Sequence, residues 1–290
     1  MISSEQNPFK IAKENKQPLI LDGAMGSLLQ QKGFESKDSD WMTYVNSESP
    51  EIIISIHKAY IETGASIITT NTFRTNPSAN RGISKSKDKV KIAVSLAKSA
   101  IGNNTVLIAG SNAPAEDCYQ KERKISYKEL QENHLYHIDF LKDNGVDFIL
   151  NETQSHFDEI EIICDHCSRN FIPYVVSLYI QDELKILSGE NVENVIKFIW
   201  EHNPLAVGIN CISPATFSKV MKLLNTNLNF GFYLNCLKGT PENSILECDI
   251  SPAEYSEMIK EYLQFNPSYI GACCGSSPEH IRKIKEAIDG

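Results

Sequence analysis

Cysteine stands just beyond each of the last three apolar runs of the chain, as Cys211, as Cys236 and as the adjacent pair Cys273-Cys274. Neighbouring residues on a strand face opposite sides. Gly275, however, lets the backbone turn where the strand ends, and both thiolates of the pair can then face one metal ion. Cys211, two units earlier, reaches the same point if the strands close into a barrel, where alternate strands share an interior layer. Three thiolates on one zinc leave a fourth position open, the arrangement of catalytic rather than structural zinc. A plainer reading stands beside it: cysteine is a small buried hydrophobe, common in cores.

The elements that must position these residues are legible as eight short apolar runs, at 19–21, 65–70, 106–109, 147–150, 173–178, 205–209, 230–234 and 269–272. Most lack polar alternation, as strands do when both faces are covered. Helical patterns lie between them. One spans about 51–63, with Ile53, Ile56 and Tyr60 on one face and Gly64 after it; another spans about 127–144 before Gly145. Ser251-Pro252-Ala253-Glu254 reads as a capping box with proline at the first helical position, and Ser277-Pro278 opens a last helix the same way. Strand then helix, eight times, predicts a single α/β domain, a (β/α)8 TIM barrel over residues 18–290 behind an N-terminal extension of residues 1–17. A doubly wound open sheet is the alternative. Residues 1–15 and 32–49 read as loose. In a barrel the chemistry sits at the strands' C-terminal ends. Those ends carry Asp22, Thr70-Asn71-Thr72, Ser111-Asn112, Glu152, Tyr179, Asn210-Cys211, Asn235-Cys236 and Cys273-Cys274.

Charge and composition exclude several functions. Lys and Arg total 28 against 37 Asp and Glu, a net charge of −9 with no basic run, so a nucleic-acid partner is not expected. No stretch approaches the ~18 apolar residues of a membrane span. The polar N-terminus lacks a signal peptide's apolar segment. Eight cysteines are too few for a disulfide scaffold, so a reducing cytoplasmic setting is expected. Cys164-Asp165-His166-Cys167 has zinc-knuckle spacing but lacks a second pair, and Cys118 and Cys248 read as incidental. His57, His134 and His137 fall in helical patterns, as surface or satisfied core residues. The glycines of Asp22-Gly23-Ala24-Met25-Gly26 do not match a dinucleotide fingerprint.

Four motifs occur in order: Asp22-Gly23-Ala24-Met25-Gly26, Thr70-Asn71-Thr72-Phe73, Gly208-Ile209-Asn210-Cys211 and Gly271-Ala272-Cys273-Cys274-Gly275. Together, over about residues 18 to 288, the chain resembles the homocysteine S-methyltransferase family. That family includes betaine- and S-methylmethionine-dependent enzymes and the homocysteine module of cobalamin-dependent methionine synthase. The resemblance implies a (β/α)8 barrel holding Zn2+ through Cys211, Cys273 and Cys274. It implies that Asp22 and Glu152 bind the homocysteine amino group. The loop of Thr70, Asn71, Thr72 and Phe73 would lie near the carboxylate through backbone donors, with Asn210 a partner to the thiolates. The implied activity is methyl transfer from a small onium donor, S-methylmethionine or S-adenosylmethionine, to L-homocysteine, giving methionine. A cationic donor favours aromatic faces, and Trp41, with Tyr44 and Phe73 nearby, is the expected contact; Trp41 packing its own loop is the plainer reading. Selenium acceptors, the donor's identity and the oligomeric state stay open. So do two alternatives: a homocysteine-activating module for a separate corrinoid protein, and a non-catalytic zinc or thiol-amino-acid binder. The chain departs from S-methylmethionine-type relatives after the seventh run, with Leu234-Asn235-Cys236-Leu237-Lys238-Gly239 in place of a Pro-Asn-Ser-Gly-like stretch. Cys236 there is a bystander or an occupant of the fourth zinc position.

Overall fold

The structure, a computed structural model, describes residues 6–37, 40–236 and 249–290. Each of the eight apolar runs forms a parallel strand: β1 (Leu19–Ile20), β2 (Ile67–Thr69), β3 (Leu107–Asn112), β4 (Phe148–Gln154), β5 (Tyr174–Leu178), β6 (Ala206–Asn210), β7 (Phe230–Leu234) and β8 (Tyr269–Ala272). They lie side by side in the order β1-β8-β7-β6-β5-β4-β3-β2. A bridge between Leu21 and Ile67, with the Ser66 amide donating to Ile20 O and the Asp22 amide to Ile67 O, joins the first strand to the second. The result is a (β/α)8 barrel rather than an open sheet.

Twelve helices are present among the described residues: α1 (Pro8–Glu14), α2 (Gly26–Gln31), α3 (Val45–Glu48), α4 (Pro50–Glu62), α5 (Pro77–Asn80), α6 (Ile83–Ile101), α7 (Tyr127–Asp143), α8 (Phe157–Arg169), α9 (Val192–Glu201), α10 (Pro214–Met221), α11 (Pro252–Leu263) and α12 (Pro278–Asp289). None is long and apolar enough to cross a membrane. Ser126 with Glu129, and Ser251 with Glu254, close reciprocal capping boxes at the starts of α7 and α11. The pleat divides the core in two. Phe230, Phe232 and Leu234 pack outward against helices, while Tyr233, like Phe148, Leu150, Val175 and Ala206, faces the barrel interior.

Within two segments expected to be loose, the described residues are ordered by packing. In α1, Phe9 is buried at the barrel floor, edge-on to Phe148 and Tyr269 at 5.3 and 5.4 Å between ring centroids. Asn7 caps that helix and donates through Nδ2 to Leu205 O at 2.9 Å. A single buried aromatic within a polar stretch does not stand out in a hydrophobicity reading. Between α2 and α4, Met42, Thr43, Val45 and Asn46 are buried. Strands β3 and β4 also run beyond their apolar stretches. Their polar ends bond to each other between these neighbouring strands, with Asn112 Nδ2 donating to Asn151 Oδ1 at 2.7 Å. Because Phe9 fills the floor, Phe9→Ala is expected to destabilise the protein by about 3–5 kcal/mol in denaturant unfolding; a loss below about 1 kcal/mol would mean that α1 merely rests on the barrel.

Candidate active site

At the C-terminal rim the sulfurs of Cys211, Cys273 and Cys274 all lie within 4.8 Å of one another. Cys211 and Cys273 are joined as a disulfide, with Cα atoms 5.8 Å apart. Zinc at about 2.3 Å from each of three thiolates sets tetrahedral sulfurs about 3.8 Å apart. The donor set and spacing therefore fit that ion once the disulfide is reduced to two thiolates. The backbone supplies the convergence. Cys211, just past β6, has φ +54, and Gly275, just past the pair, has φ +84; both leave the extended conformation that would send neighbouring side chains apart. Neighbouring loops fix these turns. Asn235 Nδ2 donates to Cys211 O at 3.0 Å, the Cys236 amide to Cys274 O at 3.1 Å, and the Gly275 amide to Ser27 Oγ at 2.9 Å. The Asn210 side chain is bound to Thr153 rather than to a sulfur. Its Oδ1 accepts from the Thr153 amide at 3.0 Å and its Nδ2 donates to Thr153 Oγ1 at 2.9 Å. Thr153 itself has φ +58, at a register shift in β4.

Beside the sulfurs a cavity of about 560 Å³ opens at the rim, within the usual range for small-molecule sites. Asp22, Glu152, Trp41, Thr70, Asn71, Phe73, Cys211, Cys273 and Cys274 line it. Asp22 is buried, and Thr69 donates to both its oxygens, from the amide to Oδ2 at 2.8 Å and from the hydroxyl to Oδ1 at 2.9 Å. Burial pushes its carboxyl up to about 8, the Thr69 bonds pull it back, and the charge of Glu152 adds to the rise. Glu152 accepts from the Ser111 hydroxyl, and burial pushes it up to about 7. Tyr233 also lines the cavity, and its buried hydroxyl makes no hydrogen bond of ordinary geometry among the described residues. Tyr233 stands inside an apolar run and belongs to no polar strand-end motif; the inward register of β7 is the signal that finds it.

The loop after β2 divides its labour. Asn71 is pinned to the long loop before α4, donating from Nδ2 to Met42 O at 3.2 Å and to Asn46 Oδ1 at 3.0 Å. Thr72 is not at the cavity wall; its hydroxyl donates to Ser111 O at 2.8 Å and meets the Thr70 hydroxyl at 2.8 Å. Trp41, with φ +49, lies over the start of α2. A Cβ on Gly26 would stand 2.3 Å from its Nε1, so the ring needs glycine beneath it. Trp41 thus both packs its loop and forms a cavity wall. Tyr44 is turned away, with its hydroxyl on Glu35 O and Lys37 over its ring.

Other candidates resolve differently. Cys236 is fully buried in the layer between strands and helices and is not one of the three clustered sulfurs. Cys118 lines the cavity, its thiol pushed up to about 12 by burial. Cys164 and Cys167 face the core while His166 turns to Asp139 at 3.0 Å, so this knuckle does not converge on one point. Cys248 and residues 237–239 lie outside the described residues. His134 and His137 are buried and satisfied. His134 bonds Glu159 at 2.6 Å, and His137 bonds Asn112 and Thr75 at 2.9 and 2.8 Å. Glu159 also accepts from the Ala115 amide and pairs with Arg123, fixing the loop between β3 and α7. His57 is buried with neither ring nitrogen bonded among the described residues, and burial lowers it to about 4.

The family model for homocysteine S-methyltransferase matches residues 19–288. A homocysteine S-methyltransferase of Escherichia coli (strain K12) is 27% identical, over 97% of this chain and 99% of its own. The metallated form of the Escherichia coli homocysteine methyltransferase MmuM superposes with a TM-score of 0.80 at 25% identity, covering 96% of this chain and 99% of that one. Its oxidized form gives 0.78 at 25% identity with the same coverage. The matched span holds all eight strands and both cysteine motifs, and the chain belongs to the homocysteine S-methyltransferase family.

Proposed function

We propose that this chain transfers a methyl group from a small sulfonium donor to the thiol of L-homocysteine, giving methionine, with zinc held by Cys211, Cys273 and Cys274. The observation that carries this reading is the meeting of three sulfurs with two buried carboxylates in one cavity. The names of the Escherichia coli relatives support it.

A free thiol of pKa near 8.5 is only about 3% ionised at pH 7. Zinc held by three thiolates would bind the incoming sulfur as a thiolate, with enough electron density left to attack carbon. The rest falls to the chain's own residues. Asp22 and Glu152 accept the substrate ammonium, and their protons leave as it arrives. The amides of Asn71 and Phe73, which donate to no protein group among the described residues, are available to the carboxylate. Trp41 and Phe73 offer aromatic faces to the sulfonium. Held in line at near-attack distance, the two sulfurs need no general base.

Reduced protein is expected to bind about one zinc per chain, and Cys211→Ser or Cys273→Ser to lose it; full zinc content in both variants would remove these ligands from the assignment. Methionine formation is expected with S-methylmethionine or S-adenosylmethionine. Zinc and homocysteine binding without turnover on either, or on betaine or dimethylsulfoniopropionate, would instead favour the corrinoid-partner or binding-protein reading.

The two acids give a pH dependence. Near pH 7 Asp22, at about 8, is mostly protonated and Glu152, at about 7, about half so, whereas the ammonium requires carboxylates. Homocysteine binding should therefore release protons and tighten as pH rises from about 6 to about 8, measured by calorimetry in two buffers. Glu152→Gln should weaken homocysteine far more than donor. The folded Glu152 carboxyl binds its proton more tightly than the unfolded one, so the fold loses stability as pH rises from the ordinary carboxylate range to about 7. Metal-free Glu152→Gln is expected to exceed wild type by about 3 kcal/mol above pH 7, with the advantage vanishing in acid; equal stability at all pH values would mean that Glu152 is solvated.

A further inference from the structure

The outer part of the same cavity carries two opposite charges that nothing among the described residues neutralises. Arg74 lines the wall next to Phe73, with its guanidinium 5.4 Å from that ring. Its Nη1 donates to Glu116 O at 2.5 Å and Pro114 O at 3.4 Å, and no carboxylate pairs with it. Asp117, on the loop between β3 and α7, lines the cavity too. Its Oδ1 accepts from the Tyr119 amide at 3.0 Å, and no cation pairs with it. The two side chains are too far apart to pair with each other. Asp117 is nonetheless held in place, because both flanks of its loop are anchored. Glu159 takes the Ala115 amide at 2.9 Å, and Ser155 donates to Cys118 O at 3.1 Å. Tyr119, edge-on to Tyr179 at 5.1 Å, adds an aromatic wall to those of Trp41 and Phe73.

We propose that Arg74 and Asp117 read the amino-acid head of the methyl donor, Arg74 taking its α-carboxylate and Asp117 its α-ammonium, with the sulfonium among the aromatic rings. The assignment rests on the donor reading above and adds the residues that select the donor. Two zwitterions must share one cavity, and each needs an acid and a carboxylate partner of its own. The buried acids beside the sulfurs serve the acceptor; the outer pair is left for the donor. A donor with a carboxylate and no amine would satisfy Arg74 and leave Asp117 unmatched. In the transfer the acceptor thiolate's electron pair forms the new bond to the methyl carbon. The donor's carbon–sulfur bond breaks and its pair stays on the donor sulfur. Sulfonium and thiolate charges cancel, and the donor leaves as a neutral thioether amino acid.

The test compares S-methylmethionine with dimethylsulfoniopropionate, which keeps sulfonium and carboxylate but lacks the amine. Initial rates and calorimetric donor binding are measured on zinc-loaded wild type, Asp117→Asn and Asp117→Glu. Asp117→Asn is expected to raise KM and Kd for S-methylmethionine about tenfold, the scale of one charged hydrogen bond. Its kcat, its KM for homocysteine and its affinity for dimethylsulfoniopropionate should barely change, and Asp117→Glu should recover part of the loss. Equal losses on both donors, a loss on homocysteine, or no loss at all would overturn the assignment while leaving the proposed activity standing. Selective loss of donor binding in a chain that transfers no methyl group would do the reverse.

Discussion

The site depends on bringing three sulfurs to one point at the rim of a parallel barrel, where the pleat sends consecutive side chains to opposite faces. Extended backbone cannot do this for Cys273 and Cys274. The chain leaves extended conformation at Gly275, at no steric cost, and at Cys211, where a side chain makes the left-handed region expensive. Thr153 pays the same penalty across the barrel, of order 1–3 kcal/mol per residue. Asn210 links the two strained positions, since it precedes Cys211 and grips Thr153 with both ends of its amide. Its part in the site is therefore exerted through the backbone. The carboxamide holds the β4 and β6 ends in register while the neighbouring sulfur is turned to the rim.

Electrostatics follow from the same gathering. The inner cavity combines two buried acids with three potential thiolates, and Arg74, in its outer part, is the one basic side chain among the described residues that line it. Such a pocket disfavours its own full ionisation, which is why Asp22 and Glu152 are pushed up by burial and why Asp22 feels Glu152. Positive groups are suited to these anions: a divalent ion, an ammonium, a sulfonium. Each arrival lowers the cost of the remaining anions, so occupants of this cavity are expected to bind more tightly together than apart.

The strands and the cysteine motifs were legible because they are local. Apolar runs of five or so residues repeat at regular intervals, and the cysteines sit directly at their ends. What the sequence hid depends on contacts distant along the chain. Phe9 gives no periodic signal, since its partners are Phe148 and Tyr269. The polar ends of β3 and β4 read as loop because their ladder is completed by Asn112 and Asn151 meeting across strands. His134, legible as a surface or satisfied core residue, gives no sign in the sequence of Glu159 and Arg123, which join it only on folding in one clamp on the loop that carries Asp117 and Cys118. The loop around Trp41 looked loose because its order comes from Asn71 and Gly26, which a hydrophobicity pattern does not register.

The barrel interior explains how buried acids are tolerated near an apolar floor. Moving up from Phe9, the inward residues pass from Phe148, Val175 and Ala206 to Ser177, Tyr233 and Tyr269, and then to Ser111, Thr69, Glu152 and the sulfurs. Hydroxyls separate hydrocarbon from carboxylate. Tyr269 reaches across this middle zone, and a Cβ on Gly208 would stand 2.1 Å from its hydroxyl, so the ring has its place only because β6 carries glycine there. With α1 closing the floor and tyrosines filling the middle, the interior is packed below the sulfurs. Among the described residues the cavity opens at the rim, where the Trp41 loop and the loop that Arg74 holds both line it. Substrate binding that covers this entrance would strengthen every charge interaction beneath it, because the same carboxylates and thiolates would then act in a less polar surrounding.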